Sequence, residues 1–233
     1  MKTDSSETRG NEIRFSLLLG ALVVAAVIGP LLEETQLGEF IQIGCLTLVF
    51  VAAVIINWRH RVRLSLFGVA ATITLILHWS SLLVSNDEVS IARFAFSFLF
   101  LGVTAAMLLR SIVLNYKATP DAILGAICIY LLLGLMWALG YSAVTYIEPN
   151  AFDIPGSVDF ASAKTHPSFA TLIYFSFVTM STLGYGDITP QTDLCRTLAW
   201  TQSVTGQFYL AILVARLVSI LPNKESAAAE SEE

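Results

Sequence analysis

Six stretches of this chain are apolar over a length that matches a bilayer's hydrocarbon core, which takes about 20 helical residues to cross. They run from Phe15 to Leu32, Phe40 to Asn57, Leu64 to Val84, Ile91 to Leu114, Ala122 to Ile147, and Leu194 to Leu221. Inside lipid every backbone N–H and C=O must find its partner within the protein, so each stretch has to be a helix or part of a closed barrel. No ten-residue alternation of apolar and polar residues occurs, which excludes the barrel. The expected fold class is an all-α integral membrane protein with six transmembrane helices. Composition agrees: 13% of residues are charged, against roughly 25% in soluble domains.

A further apolar segment, 169–181, is too short to span. It should enter the membrane as a re-entrant helix and stop. The next residues, Thr182-Leu183-Gly184-Tyr185-Gly186-Asp187, would then leave as extended backbone, which is tolerated at that depth only where it is buried in protein or lines a water-filled path. Gly184 and Gly186 stand at alternate positions, and glycine takes left-handed dihedrals without a Cβ clash. Alternating handedness turns successive carbonyls toward one axis. The carbonyls of Thr182, Leu183, Gly184 and Tyr185, with the Thr182 hydroxyl beneath them, are expected to replace the water shell of a dehydrated monovalent cation, with Gly186 completing the ion-binding strand.

Thr182 to Asp187 resembles the potassium channel signature Thr-Val-Gly-Tyr-Gly-Asp, with Leu183 in place of the usual valine or isoleucine. The resemblance reaches back through Tyr174-Phe175-Ser176-Phe177-Val178-Thr179, which looks like a pore helix, and forward to Gly206; it covers roughly Ala122 to Leu221. The family resembled is that of prokaryotic tetrameric potassium channels with six spans and one pore loop. The carbonyl mechanism above is carried over from potassium channels, where it is known. The resemblance implies passive potassium conduction by a homotetramer in the lipid bilayer, one pore segment coming from each chain, with no cofactor and with potassium as the permeant ligand. Many relatives place a tryptophan where Tyr174 stands, donating a hydrogen bond to the terminal aspartate of the filter. Tyr174 keeps a donor, so a hydroxyl bond to Asp187 is expected to support the filter. Gly206 falls at the position of the inner-helix hinge. Below it Leu210, Val214 and Val218 recur on one helical face, where they would line the inner mouth and gate by dewetting. Leu183 leaves an alternative open, a looser filter conducting monovalent cations without selection. A membrane subunit of a potassium transporter is a more remote reading, and a scaffold with a dead filter a third.

The expected organisation is a cytoplasmic segment 1–14, a four-helix transmembrane domain 15–114, a pore domain 120–221 and a cytoplasmic tail 222–233. Within the pore domain the outer helix is 122–147, the turret 148–168, the pore helix 169–181, the filter 182–187 and the inner helix 194–221. Arg59, Arg61 and Arg63 place the second link in the cytoplasm, as Arg110 and Lys117 do the fourth, which leaves both termini cytoplasmic in a cell membrane. Acidic residues dominate the opposite links, a distribution that concentrates cations at an outer mouth. The stretch 91–114 carries only Arg93 and Arg110, one near each end, short of the three to four mobile charges a voltage sensor needs. Both arginines read as snorkelling to the interfaces, His78 and Trp79 as an interfacial pair, and Cys45, Cys128 and Cys195 as apolar packing. His166 in the turret is a candidate for sensing external pH. No nucleophile–base pair, phosphate loop or metal cluster is present, so an enzyme is not expected.

Overall fold

The computed structural model describes residues 15–32, 37–57, 61–83, 86–114, 120–154 and 166–220. The expected terminal segments 1–14 and 222–233 and the central turret, 155–165, lie outside the described residues. In chain order the elements are α1 (Phe15–Leu32), α2 (Gly38–Asn57), α3 (Arg61–Ser80), α4 (Asp87–Leu114), α5 (Pro120–Ile147), β1 (Phe152–Asp153), α6 (Phe169–Met180), β2 (Thr189–Pro190) and α7 (Asp193–Ile220).

Among the described residues four helices are long and apolar enough to cross a membrane: Phe15–Leu32, Gly38–Ile56, Asp87–Ile112 and Ile123–Ile147. The expectation of six transmembrane helices around one pore loop is corrected accordingly. The protein is an all-α, multi-pass membrane protein with four long apolar helices. The expected spans Leu64 to Val84 and Leu194 to Leu221 are not among them. α3 opens on Arg61 and Arg63, and among the described residues its apolar part is Phe67–Ser80, shorter than a span. α7 has the length, but its first half carries Asp193, Arg196, Thr197, Thr201, Gln202, Ser203, Thr205 and Gln207, which dilutes its apolar content.

Proline explains the one irregular span. Pro30 has no N–H and its ring crowds the preceding turn, and just before it α1 widens into a π segment, Val24–Ile28, closed by the Gly29 N–H on the Val24 carbonyl.

The helices pack around α5, whose apolar window is 61% buried against 22% for α1. Lipid is as apolar as a leucine side chain, so close packing, not escape from water, must hold these helices together. Aromatic rings and small residues supply it. Phe94 and Phe98 of α4 meet Tyr146 and Trp137 of α5 at ring distances of 5.8 and 5.9 Å, and Phe94 reaches on to Phe169 of α6 at 6.4 Å. Gly140 lies under the Phe98 ring, where a Cβ would come within 3.0 Å. Away from these seams Leu17, Val27, Leu31, Leu48, Leu99 and Val103 are exposed, a surface suited to lipid.

A second cluster joins α2, α3 and α4, with Phe100 between Phe50 at 5.6 Å and Phe67 at 4.8 Å. His78 belongs to it. The expected interfacial pair is overturned, because neighbouring residues of a helix point about 100° apart: Trp79 is exposed and donates to the Thr47 hydroxyl at 3.1 Å, while His78 is 3% exposed and edge-on to Phe50. Arg93 does not snorkel freely either, since its guanidinium lies over the Phe94 ring at 4.4 Å and its Nε is buried. Cys45, Cys128 and Cys195 are buried free thiols.

Candidate functional site

Ser168 starts the helix that carries the site. Its hydroxyl accepts the Thr171 N–H at 3.2 Å, satisfying a first-turn donor as an N-cap serine does. α6 then runs to Met180, burying Phe169, Leu172, Ile173, Phe175, Ser176 and Met180 against the rest of the protein. Its last carbonyls, which lack partners within the helix, take amides from the segment that follows. Thr182 N–H donates to Thr179 O at 3.1 Å, and Leu183 and Gly184 N–H both donate to Val178 O, at 3.0 and 3.4 Å. The base of the Thr182–Asp187 strand is thereby tied to the end of α6.

Left-handed dihedrals occur at alternate residues of this strand: Thr182 at φ 59°, Gly184 at 56° and Gly186 at 77°. The two glycines adopt them without a side-chain penalty. Thr182 is β-branched, and a positive φ there is a true outlier. Its hydroxyl donates to the carbonyl of Ser181 at 2.7 Å. Nothing in the sequence singles out Thr182 as left-handed.

From Ser181 to Asp187 every residue is exposed on this chain. Leu183 is 54% exposed, and Tyr185 67%. Tyr174 lies beside the strand's far end, and its hydroxyl donates to Asp187 Oδ2 at 2.6 Å while Asp187 Oδ1 accepts the Ile188 N–H at 3.1 Å. The hydrogen bond to the carboxylate, reinforced by its charge, pushes the Tyr174 phenol up to about 12, so it remains a donor at any physiological pH.

Past Asp187 the chain is anchored to the turret. Phe152 and Asp153 pair antiparallel with Pro190 and Thr189, and the Gln191 N–H donates to Ala151 O at 2.8 Å. Arg196 Nε adds a bond to the Pro190 carbonyl at 3.2 Å. The strand is thus held at both ends, by α6 below and by β1 above. Two residues of ladder are too short to leave a period in the sequence.

Gly206, the expected hinge, is buried in α7 where that helix crosses the end of α6. A Cβ there would stand 2.7 Å from the Met180 carbonyl oxygen. Close approach, rather than bending, is what the surroundings demand of this glycine. Leu210 and Val214 are exposed on the chain at 37% and 57%, and the side chain of Val218 lies outside the described ones. Tyr141, Ser176 and Gln202, which sequence reasoning passed over, meet in a buried hydrogen-bonded group behind α6. A glutamine four residues before a helix-crossing glycine was the available signal. His166 stacks on Tyr146 at 3.8 Å with Nδ1 3.2 Å from the Thr145 carbonyl, facing the protein and not open water.

Residues 123–223 match the family described as "Ion channel". The chain is similar to "Two pore potassium channel c" of Oryza sativa subsp. japonica, 36% identical over 66 residues, which is 28% of this chain and 14% of that protein. It is also similar to "Two-pore potassium channel 4" of Arabidopsis thaliana, 43% identical over 60 residues, 25% of this chain and 21% of that protein. This chain therefore aligns with about a fifth or less of the length of these curated relatives. They correct the expected family, since the similar proteins are plant two-pore potassium channels and not prokaryotic six-span channels with a single pore loop. The expected homotetramer is corrected with it, because it rested on that family's single-pore architecture. The chain is thus potassium-channel-like over the part that these comparisons cover.

Proposed function

We propose that this chain builds part of a potassium-conducting pore, with the backbone of Thr182 to Gly186 as its ion-coordinating wall. The observation that carries the reading is the alternation of left-handed dihedrals at Thr182, Gly184 and Gly186 directly after the end of a half-length apolar helix. Alternation of this kind turns consecutive carbonyl oxygens to one side, and a row of such dipoles can replace the hydration shell of an alkali cation. Four partial negative charges would then be offered by the carbonyls of Thr182, Leu183, Gly184 and Tyr185, with the Thr182 hydroxyl at the base. The carboxyl end of α6, equivalent to about half a negative charge, adds to the attraction. Asp187 and Tyr174 brace the outer end. A closed ring takes further strands beyond the one this chain carries, and the native mass of the purified protein reads how many chains supply them.

Leu183 favours a second outcome, in which a residue bulkier than valine at this position relaxes the bore and sodium passes as well. Both readings place the termini on the cytoplasmic side, on the strength of the arginines at 59, 61 and 63. The test is ion flux from liposomes containing only the purified full-length chain. Potassium efflux that Gly184→Ala abolishes, with a reversal potential set by potassium, supports the proposal. A reversal potential indifferent to exchange of sodium for potassium selects the non-selective pore. Absence of flux in a folded, inserted protein overturns both.

A further inference from the structure

Behind the strand lies a polar group with no contact with water. Tyr141 of α5, Ser176 of α6 and Gln202 of α7 are each 0% exposed. Tyr141 Oη donates to Gln202 Oε1 at 2.6 Å. Gln202 Nε2 donates to the Ser176 carbonyl at 2.9 Å and to its hydroxyl at 2.7 Å. The Ser176 hydroxyl in turn donates to the Gly134 carbonyl of α5 at 2.7 Å. Every member is satisfied by another, and in a low-dielectric interior each bond lost would strand a partner that has no water to turn to. The set joins α5, α6 and α7.

The arrangement repeats one turn further along. Residues four apart share a helical face, and Gly206 lies four beyond Gln202 as Met180 lies four beyond Ser176. Gly206 packs directly on the Met180 carbonyl, so α7 meets α6 at two matched points, one polar and one steric. Met180 ends α6 and Thr182 begins the strand, whose first amides are held by Val178 and Thr179.

We infer that Gln202 is a positioning residue that latches the upper half of α7 to α6, so that displacement of α7 is delivered to the base of the Thr182–Gly186 strand. The latch rests on the reading of that strand as the ion path. Below Gly206, Leu210 and Val214 are exposed, while the buried Tyr209 hydroxyl donates to the Ala126 carbonyl of α5, so α7 is tied to α5 there and to both α5 and α6 at Gln202. Conduction then depends on a residue that faces away from the ion.

Hydrogen–deuterium exchange of the full-length protein in bilayer nanodiscs, followed over the peptide 178–186 and over a control peptide within 89–112, tests this together with liposome flux. Gln202→Leu keeps the volume and removes the bonds; it is expected to accelerate exchange at 178–186 about tenfold, a factor in keeping with the loss of a buried bond, and to leave the control peptide unchanged. Tyr141→Phe removes one bond and should act in the same direction to a smaller extent. Adding Ser176→Ala to Gln202→Leu should change little more, since the two act as one unit. Potassium flux or its selectivity over sodium should fall in the same variants. A wild type that conducts nothing, but whose exchange responds to Gln202→Leu, refutes the conduction reading and leaves the latch standing. Unchanged exchange at 178–186 overturns the latch, and should Gln202→Leu fail to assemble, Tyr141→Phe alone decides.

Discussion

Three glycines of the site do different work, and the difference is measurable. Gly184 and Gly186 have open space where a Cβ would go, so alanine there is penalised by backbone conformation alone, by about 1–2 kcal/mol. Gly206 has an ordinary helical backbone but no space. Alanine at 206 must push the Met180 carbonyl or part α7 from α6, an overpacking cost of about 1–3 kcal/mol. We therefore expect Gly206→Ala to lower the thermal midpoint in detergent; partial recovery in Gly206→Ala/Met180→Ala, which relieves the 2.7 Å approach to Met180 Cγ and leaves the one to the carbonyl, would mark a steric cause, and a wild-type midpoint in the single variant would refute it. Tyr174→Phe should leave the global midpoint within about 0.5 kcal/mol, because the lost bond is on an exposed face. Faster loss of potassium selectivity during prolonged flux is the effect to look for, and selectivity held as long as in the wild type would exclude a bracing role.

Among the elements, the seam of α4 with α5 and α6 bears the packing. Phe94 is 7% exposed and touches both Tyr146 and Phe169, whereas Phe96, two residues along and on another face, is 44% exposed. Phe94→Ala is expected to destabilise by about 3–5 kcal/mol, and Phe96→Ala by no more than about 0.5. Equal losses in chemical unfolding would mean that the seam is not where the helices are joined. The charged pair at the start of α7 is the converse case. Arg196 and Asp193 approach to 4.0 Å with side chains 57% and 105% exposed, so water screens their attraction. Arg196→Ala should cost about 1 kcal/mol or less, and what it does cost should come from the bond to the Pro190 carbonyl, not from the ion pair. Raising the salt concentration should therefore leave the difference nearly unchanged.

For the whole molecule the count of spanning helices sets the topology. Among the described residues four helices meet the length and apolarity of a span, and α3 and α7 are not among them. Cysteine accessibility in intact liposomes reads the outcome directly. With α3 short of a span, a cysteine placed at Arg61, at its start, and one placed at Leu83, after it, should label from one common side. Labelling of the two from opposite sides would mean that α3 crosses. Conduction itself belongs to this scale, since the strand tied to α6 and β1 in one chain encloses nothing alone.

The division between what was legible and what was not follows physical range. Hydropathy along the chain located each helix to within a few residues, because a backbone in lipid has no other way to satisfy its hydrogen bonds. The glycine spacing at 184 and 186 marked the strand, because steric exclusion at Cβ is a local rule. Tertiary structure decided the rest. That His78 faces Phe50 and not the interface, that Thr182 shares the glycines' left-handed backbone, that Gly206 is a contact with Met180, and that Gln202 closes a polar group with Tyr141 and Ser176 all depend on which faces meet. Contacts between residues 26 to 61 positions apart leave no period in the sequence, and only the packed helices reveal them.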